Sequence, residues 1–189
     1  MKRKWIIAIA VILFFVVIYQ ALKFQYNRLI ALDQGVRQAW AQVENVLQRR
    51  ADLIPNLVAA VKGYAKHERE VFIEVTNARS SLLSAKTVKE KEQASSNFEK
   101  ALSRLFLVVE NYPQLKASVN FLNLQDELAG TENRIAVERK RYNEAVNKYN
   151  RIAKSFPVML FVRAFNMDSE KPYFQAEKES RGKVEVKFQ

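Results

Sequence analysis

The stretch Ala39–Glu68, AWAQVENVLQRRADLIPNLVAAVKGYAKHE, decides the fold, because its apolar residues recur at the spacing of a packed helix. Trp40, Leu47, Ile54 and Val61 fall seven residues apart, with Val43, Arg50, Leu57 and Tyr64 interleaved. The register extends backwards through Tyr26, Leu29, Asp33 and Val36, and forwards through Glu68, Val71, Val75, Ala78 and Leu82. Such a pattern lays one stripe along a helix for burial against other helices. Pro55 stands inside it, and its ring removes one intrahelical hydrogen bond. Asp52 can cap a new helix that holds Pro55 in its first turn, so the reading splits the seam here into two antiparallel helices. The register runs unbroken through Pro55, which leaves one long kinked helix as the alternative.

Upstream, residues 5–22 read WIIAIAVILFFVVIYQAL, an apolar run behind the basic tail of residues 1–4. As a helix it covers roughly 27 Å, close to the ~30 Å of a bilayer core. Trp5 and Tyr19 stand where interfacial rings belong, and Lys23 closes the run with a charge that can snorkel. We read a single-pass transmembrane helix over a cleaved signal peptide, since Tyr19-Gln20-Ala21 lacks the small residue that a cleavage site needs. Lys2, Arg3 and Lys4 tip the positive-inside rule towards an internal N-terminus, with the helical domain on the non-cytoplasmic side; the inverted topology, with a cytosolic domain, is the alternative.

Downstream, the second helix fades around Ser84–Lys86, and Thr87-Val88-Lys89-Glu90 reads as a capping box opening a third. Leu102, Leu105, Phe106 and Val109 give that helix its buried face, and Pro113 ends it at Tyr112. A fourth runs from about Leu115, with Phe121, Leu128, Ile135, Tyr142, Tyr149 and Phe156 at seven-residue spacing, until Pro157 stops it. Gly130 within it hints at a close helix contact or a kink. The fold expected is all-α: a transmembrane helix over 5–22, then an up-and-down four-helix bundle with long helices over 23–156, and a C-terminal strap and extended tail over 157–189. PVMLFVRAF, after Phe156, is too short for a second span and reads as a strap over the bundle end. Val184, Val186 and Phe188 alternate like a strand and read as docked tail.

Four Gly and four Pro in 189 residues agree with long helices. The absence of Cys removes disulfides, thiolate catalysis and Cys-ligated zinc. The formal charge of +11 is compatible with anionic lipid, nucleic acid or an acidic partner.

The stretches YNRL, AWAQVENVLQRRADLIPNLVAAVKGYAKHE, RLFLVVENYPQLKA and LQDELAGTENRIAVERKRYNEAVNKYN, in that order over nearly the whole chain, resemble the signature blocks of the LemA family. The resemblance implies a bacterial, membrane-anchored, up-and-down four-helix bundle with no established enzymatic activity. It also implies an association with membrane-protease systems.

No converging chemistry stands out. His67-Glu68 lacks the second His that a zinc-protease helix needs, since Val71 occupies that position, so no metal is expected. Glu68 with Glu70, and Asp126 with Glu127, point apart on a helix and serve no acid–base pair. Arg139, Lys140 and Arg141 face three directions without an aromatic platform, which suits a solvated helix face and not nucleic acid. Catalytic residues, cofactors and metals are therefore expected to be none, and the chain is read as not an enzyme.

The candidate interaction surface comprises Arg49, Arg50 and Asp52 at the first connection, and Glu110, Asn111 and Tyr112 at the third, which lies at the same end of an up-and-down bundle. Trp40 joins them as an anchor for self-association if exposed, with a place in the core as the alternative, and Glu132, Asn133 and Arg134, with Asn143, as a polar group on the last helix. The blander reading is that these groups cap helices and pair with one another. The expected function is a non-enzymatic, membrane-anchored scaffold of the bacterial inner membrane. Its expected partners are membrane lipid and further copies of itself; the alternative is a regulator or partner subunit of a membrane protease.

Overall fold

The computed structural model describes residues 2–65 and 67–175, and these are all-α, with no strand among them. The first helix, α1, spans Lys2–Lys62 without a break. Large apolar side chains between Trp5 and Leu22 lie exposed along it, and among the described residues it is the one helix with a stretch long and apolar enough to cross a membrane.

Pro55 lies inside α1, so the split expected at Asp52–Pro55 is corrected in favour of one continuous helix. A proline at 55 leaves the carbonyl four residues earlier without its amide partner. That carbonyl belongs to Ala51, a fully buried residue, and it accepts a hydrogen bond from Arg79 Nε at 2.8 Å. A side chain from the next helix supplies the missing donor, which is how the helix passes through proline. The break falls instead just after Lys62, at Gly63, where Tyr64 and Ala65 amides both bond the Val61 carbonyl.

The remaining helices are α2 (Arg69–Ser84), α3 (Val88–Val109), α4 (Pro113–Lys116), α5 (Val119–Ala153) and α6 (Val158–Ala164). The capping box at Thr87 forms as expected: its hydroxyl accepts from the Glu90 amide at 3.2 Å, and the Glu90 carboxylate accepts from the Thr87 amide at 3.0 Å. Helix α3 stops at Val109, short of Tyr112, and Pro113 takes the first position of α4, where its missing N–H costs nothing. Gly130 meets no neighbour that a β-carbon would touch, so the close contact expected there is not found.

The chain divides into two units, one drawn from residues up to Ala39 with Glu144–Lys171, the other from Trp40–Asn143 with the segment from Pro172. In the second unit four helical segments run antiparallel in succession. Lys62 lies over the Phe72 ring while Arg79 reaches Ala51, Glu74 pairs with Arg104, and Phe106 meets Phe121 while Arg139 meets Ser95. Val43, Leu47, Ile54, Leu57, Phe98, Leu105, Phe121 and Ile135 fill its core.

In the first unit, Leu29, Val36, Val146, Tyr149, Ala153, Val158 and Val162 are buried. The expected strap contains the short helix α6, which ends in a Schellman motif. Asn166 adopts φ 50°, its amide bonds the Arg163 carbonyl, and the Met167 amide reaches the Val162 carbonyl. Phe156, placed in the fourth seam by its spacing, lies beyond the end of α5 and is exposed. Val184, Val186 and Phe188 lie outside the described residues.

Candidate functional site

Arg50 shows why the seam of α1 tolerates a charge. It is almost completely buried, and its guanidinium grips both carboxylate oxygens of Glu99 on α3 while Nη2 also reaches Glu132 on α5 at 2.6 Å. One cation thus joins three helices within the second unit. Burial holds Glu99 above the ordinary carboxylate range, and Glu132 adds to that shift against the pull of Arg50. Beside this network lies a cleft of about 570 Å³ bordered by Ser95, Ser96, Glu99, Arg104 and Arg139. Arg139 Nη2 donates to Ser95 Oγ at 2.6 Å, and the guanidinium lies 4.4 Å from the Phe174 ring centroid.

The other residues expected at the interaction surface separate. Arg49 and Asp52 are exposed within α1, at least two turns before its end, because the connection that should have held them lies at 63–68. Arg49 pairs with Glu127 at 3.3 Å, and Asp52 takes Gln48 and, at 3.5 Å, Arg79. Glu110, Asn111 and Tyr112 do lie in a connection, and Tyr112 Oη approaches Glu68 Oε1 at 3.5 Å, which brings that connection to the one over 63–68. Glu110 is paired with Lys116. Trp40 is half-buried against Tyr142 and Phe174, with ring centroids 5.2 and 6.3 Å away. Asn133 and Arg134 are exposed.

Asn143 leaves that polar group for another task. Its amide nitrogen donates to the Phe174 carbonyl and its amide oxygen accepts from the Phe174 amide, each at 2.8 Å, while Tyr142 Oη donates to the Pro172 carbonyl. In the first unit, Asn150 holds Lys171 by the same pair of bonds, at 3.0 and 2.7 Å, and Tyr149 Oη donates to the Asp168 carbonyl. The sequence carries the signal for both clasps, which our reading missed: the dipeptide Tyr-Asn stands at 142–143 and again at 149–150, one heptad apart.

Asp33, the other charge in the seam, is buried and accepts from Lys171 Nζ at 2.9 Å and Arg37 Nε at 2.8 Å. Burial opposes its charge, but the bonds from Lys171 and Arg37 prevail and hold its carboxyl below the ordinary range. Lys171 also lies over the Tyr149 ring.

Chemically, these groups position helices and backbone. His67 is exposed, and among the described residues no three His, Cys, Asp or Glu side chains gather as a metal set would. In the basic run, Arg139 turns inward to Ser95 and Arg141 pairs with Glu138 at 2.7 Å.

Residues 39–188 match the sequence profile of the LemA family, well over half of the chain. The chain belongs to the LemA family. It is 25% identical over 182 residues to magnetosome protein MamQ 1 of Paramagnetospirillum magneticum, covering 82% of this chain and 66% of that protein. It is 23% identical to magnetosome protein MamQ of Magnetospirillum gryphiswaldense, covering 72% and 60%. To protein LemA of Metamycoplasma hominis it is 25% identical over 144 residues, covering 74% and 66%. The chain thus spans 60–66% of the length of these relatives. LemA family membership, together with the apolar helix ahead of the matched region, points to a membrane-associated protein.

Proposed function

We propose that this LemA family member is a single-pass, membrane-anchored scaffold of the bacterial inner membrane, non-enzymatic, self-associating through its helices, with its helical domain on the non-cytoplasmic side. One observation supports the self-association in this reading: the end of the second unit that holds the connections over 63–68 and 110–118 is rich in exposed apolar side chains. Tyr64, Ile73, Leu107, Val119 and Leu122 lie in or within about a turn of those connections and remain exposed, Leu107 and Val119 each at 69%. Apolar groups gathered on one surface and rimmed by polar ones mark contact sites. Glu110, Asn111 and Lys116 supply the rim here.

The test is the mass of the intact particle extracted from its own membrane in mild detergent, with its components identified by mass spectrometry. A particle built of this chain alone, reduced in size by Leu107→Lys with Val119→Lys, is the expected result. A monomer after crosslinking in native membranes refutes self-association. A membrane protease co-purifying at fixed ratio replaces the scaffold with a partner subunit.

A further inference from the structure

Helix α6 lies close to the end of the apolar run in α1. Phe165, which follows α6, sits with its ring centroid 5.2 Å from that of Tyr26. Tyr26 is four residues past Leu22, a rise of about 6 Å along the helix axis. The head-group layer on each side of a bilayer core is roughly 5–8 Å thick. If Leu22 closes the span, Phe165 therefore stands at head-group depth.

The surface of this segment suits that place. Val158 and Val162 turn into the unit, whereas Phe156, Leu160 and Phe165 are 79%, 52% and 58% exposed, and Phe24 on α1 is 67% exposed. These are large apolar groups, and two of them stand next to the apolar run: Phe24 follows Leu22 by two residues, and Phe165 packs on Tyr26. The local charge agrees: Asp168 is tied to Lys171 at 2.6 Å and Glu170 to Lys154 at 2.9 Å, while Lys23, Arg28, Arg151 and Arg163 are exposed. Cations beside interfacial aromatic and aliphatic groups are the chemistry that anionic phospholipid head groups recognise.

We propose that α6, with Phe156 and Phe165, inserts into the head-group layer of the bilayer that α1 spans, so that the protein meets lipid through two elements. The inference rests on the anchor reading of residues 5–22, and the experiment separates the two.

The chain lacks cysteine, so single spin labels can be placed cleanly. Full-length Leu160→Cys, Phe156→Cys, Phe14→Cys and Lys140→Cys proteins are labelled and reconstituted into vesicles of phosphatidylcholine with phosphatidylglycerol. Collision with oxygen, which enters lipid, is compared with collision with a water-soluble nickel chelate. Circular dichroism checks that each variant folds, and Phe156→Cys stands in if Leu160→Cys does not. The expected result is an oxygen-to-nickel ratio at 160 and 156 clearly above that at 140 and below that at 14, as befits head-group depth. A ratio at 160 and 156 equal to that at 140, with 14 in lipid, overturns the proposal and spares the anchor. Shielding of 160 and 156 from both reagents overturns it in favour of a protein contact. Exposure of 14 to the nickel chelate overturns the anchor and this proposal together.

Discussion

Replacing Arg79 by Met keeps an unbranched stem out to the position of Nε and removes every donor. The Ala51 carbonyl then has neither the Pro55 amide, which does not exist, nor Arg79 Nε, which bonds it at 2.8 Å. Leaving a buried acceptor without a partner costs about 1–3 kcal/mol. The 3.5 Å link from Arg79 to Asp52 adds less than about 1 kcal/mol, because Asp52 is exposed. We expect a loss of about 2 kcal/mol, or roughly 4–8 °C in Tm for a chain of this size. Urea unfolding of the detergent-solubilised full chain, followed by circular dichroism, measures it. The decisive comparison is a double-mutant cycle with Pro55→Ala, which restores an amide to the Ala51 carbonyl. In that background Arg79→Met should cost less by about 1 kcal/mol or more. An equal cost in both backgrounds would refute the claim that Arg79 substitutes for the amide that proline lacks.

Three further outcomes are expected. Asp33→Asn should lose about 1–3 kcal/mol at neutral pH, between the worth of an exposed pair and a buried one. Because the Asp33 pKa is depressed in the fold, its contribution is present above the ordinary carboxylate value and fades as pH falls through the lowered one. Wild type and variant should thus converge in strong acid, and a gap that persists there in a pH series of denaturation midpoints would contradict the assignment. Asn150→Leu should free the backbone at Lys171 while leaving the helices in place, read as faster amide exchange at Lys171 with unchanged helical circular dichroism; protection equal to wild type would rule the clasp out. Gly130→Ala meets open space in a helix interior and should stabilise by about 0.4–1 kcal/mol; a loss of stability in thermal unfolding would show a contact that the structure lacks.

Helix type and phase were legible from spacing alone, because a buried stripe leaves the same period wherever helices pack. Thr87 and Glu90 were legible for a local reason: a capping box is written within four consecutive residues. Pro55 misled because its consequence depends on a residue 24 positions away, Arg79, and no local pattern announces a long-range donor. Gly63, just past Val61, the last seam residue of α1, was the stop signal in the sequence and outweighs a proline whose carbonyl is rescued. Of the candidate surface, Glu110, Asn111 and Tyr112 fall in a connection as expected, whereas Arg49, Arg50 and Asp52 depended on the misplaced break. Asp33 and Arg50 were visible as charges in an apolar seam. What each meets there, Lys171 in one unit and Glu99 with Glu132 in the other, is set by tertiary packing that periodicity does not encode.

The two Tyr-Asn clasps bear on how freely this chain's sequence can drift. Each grips the main chain, through carbonyls at Pro172 and Phe174 in one unit and at Asp168 and Lys171 in the other. A lock that reads backbone is indifferent to most side chains of the segment that it holds. Substitution should therefore be tolerated at exposed positions such as Ser169 and Pro172, whereas Lys171, which bonds Asp33, and Phe174, buried against Trp40 and Arg139, are held by their side chains as well; a proline at 171 or 174 would also remove the amide that each Asn accepts from. The asparagines are the reverse case: aspartate presents two acceptors where one donor is needed, so a single-atom change, such as deamidation, turns a fit into a repulsion. Apart from Lys171 and Phe174, length is the constraint on the segment, and identity the constraint on the helix that holds it.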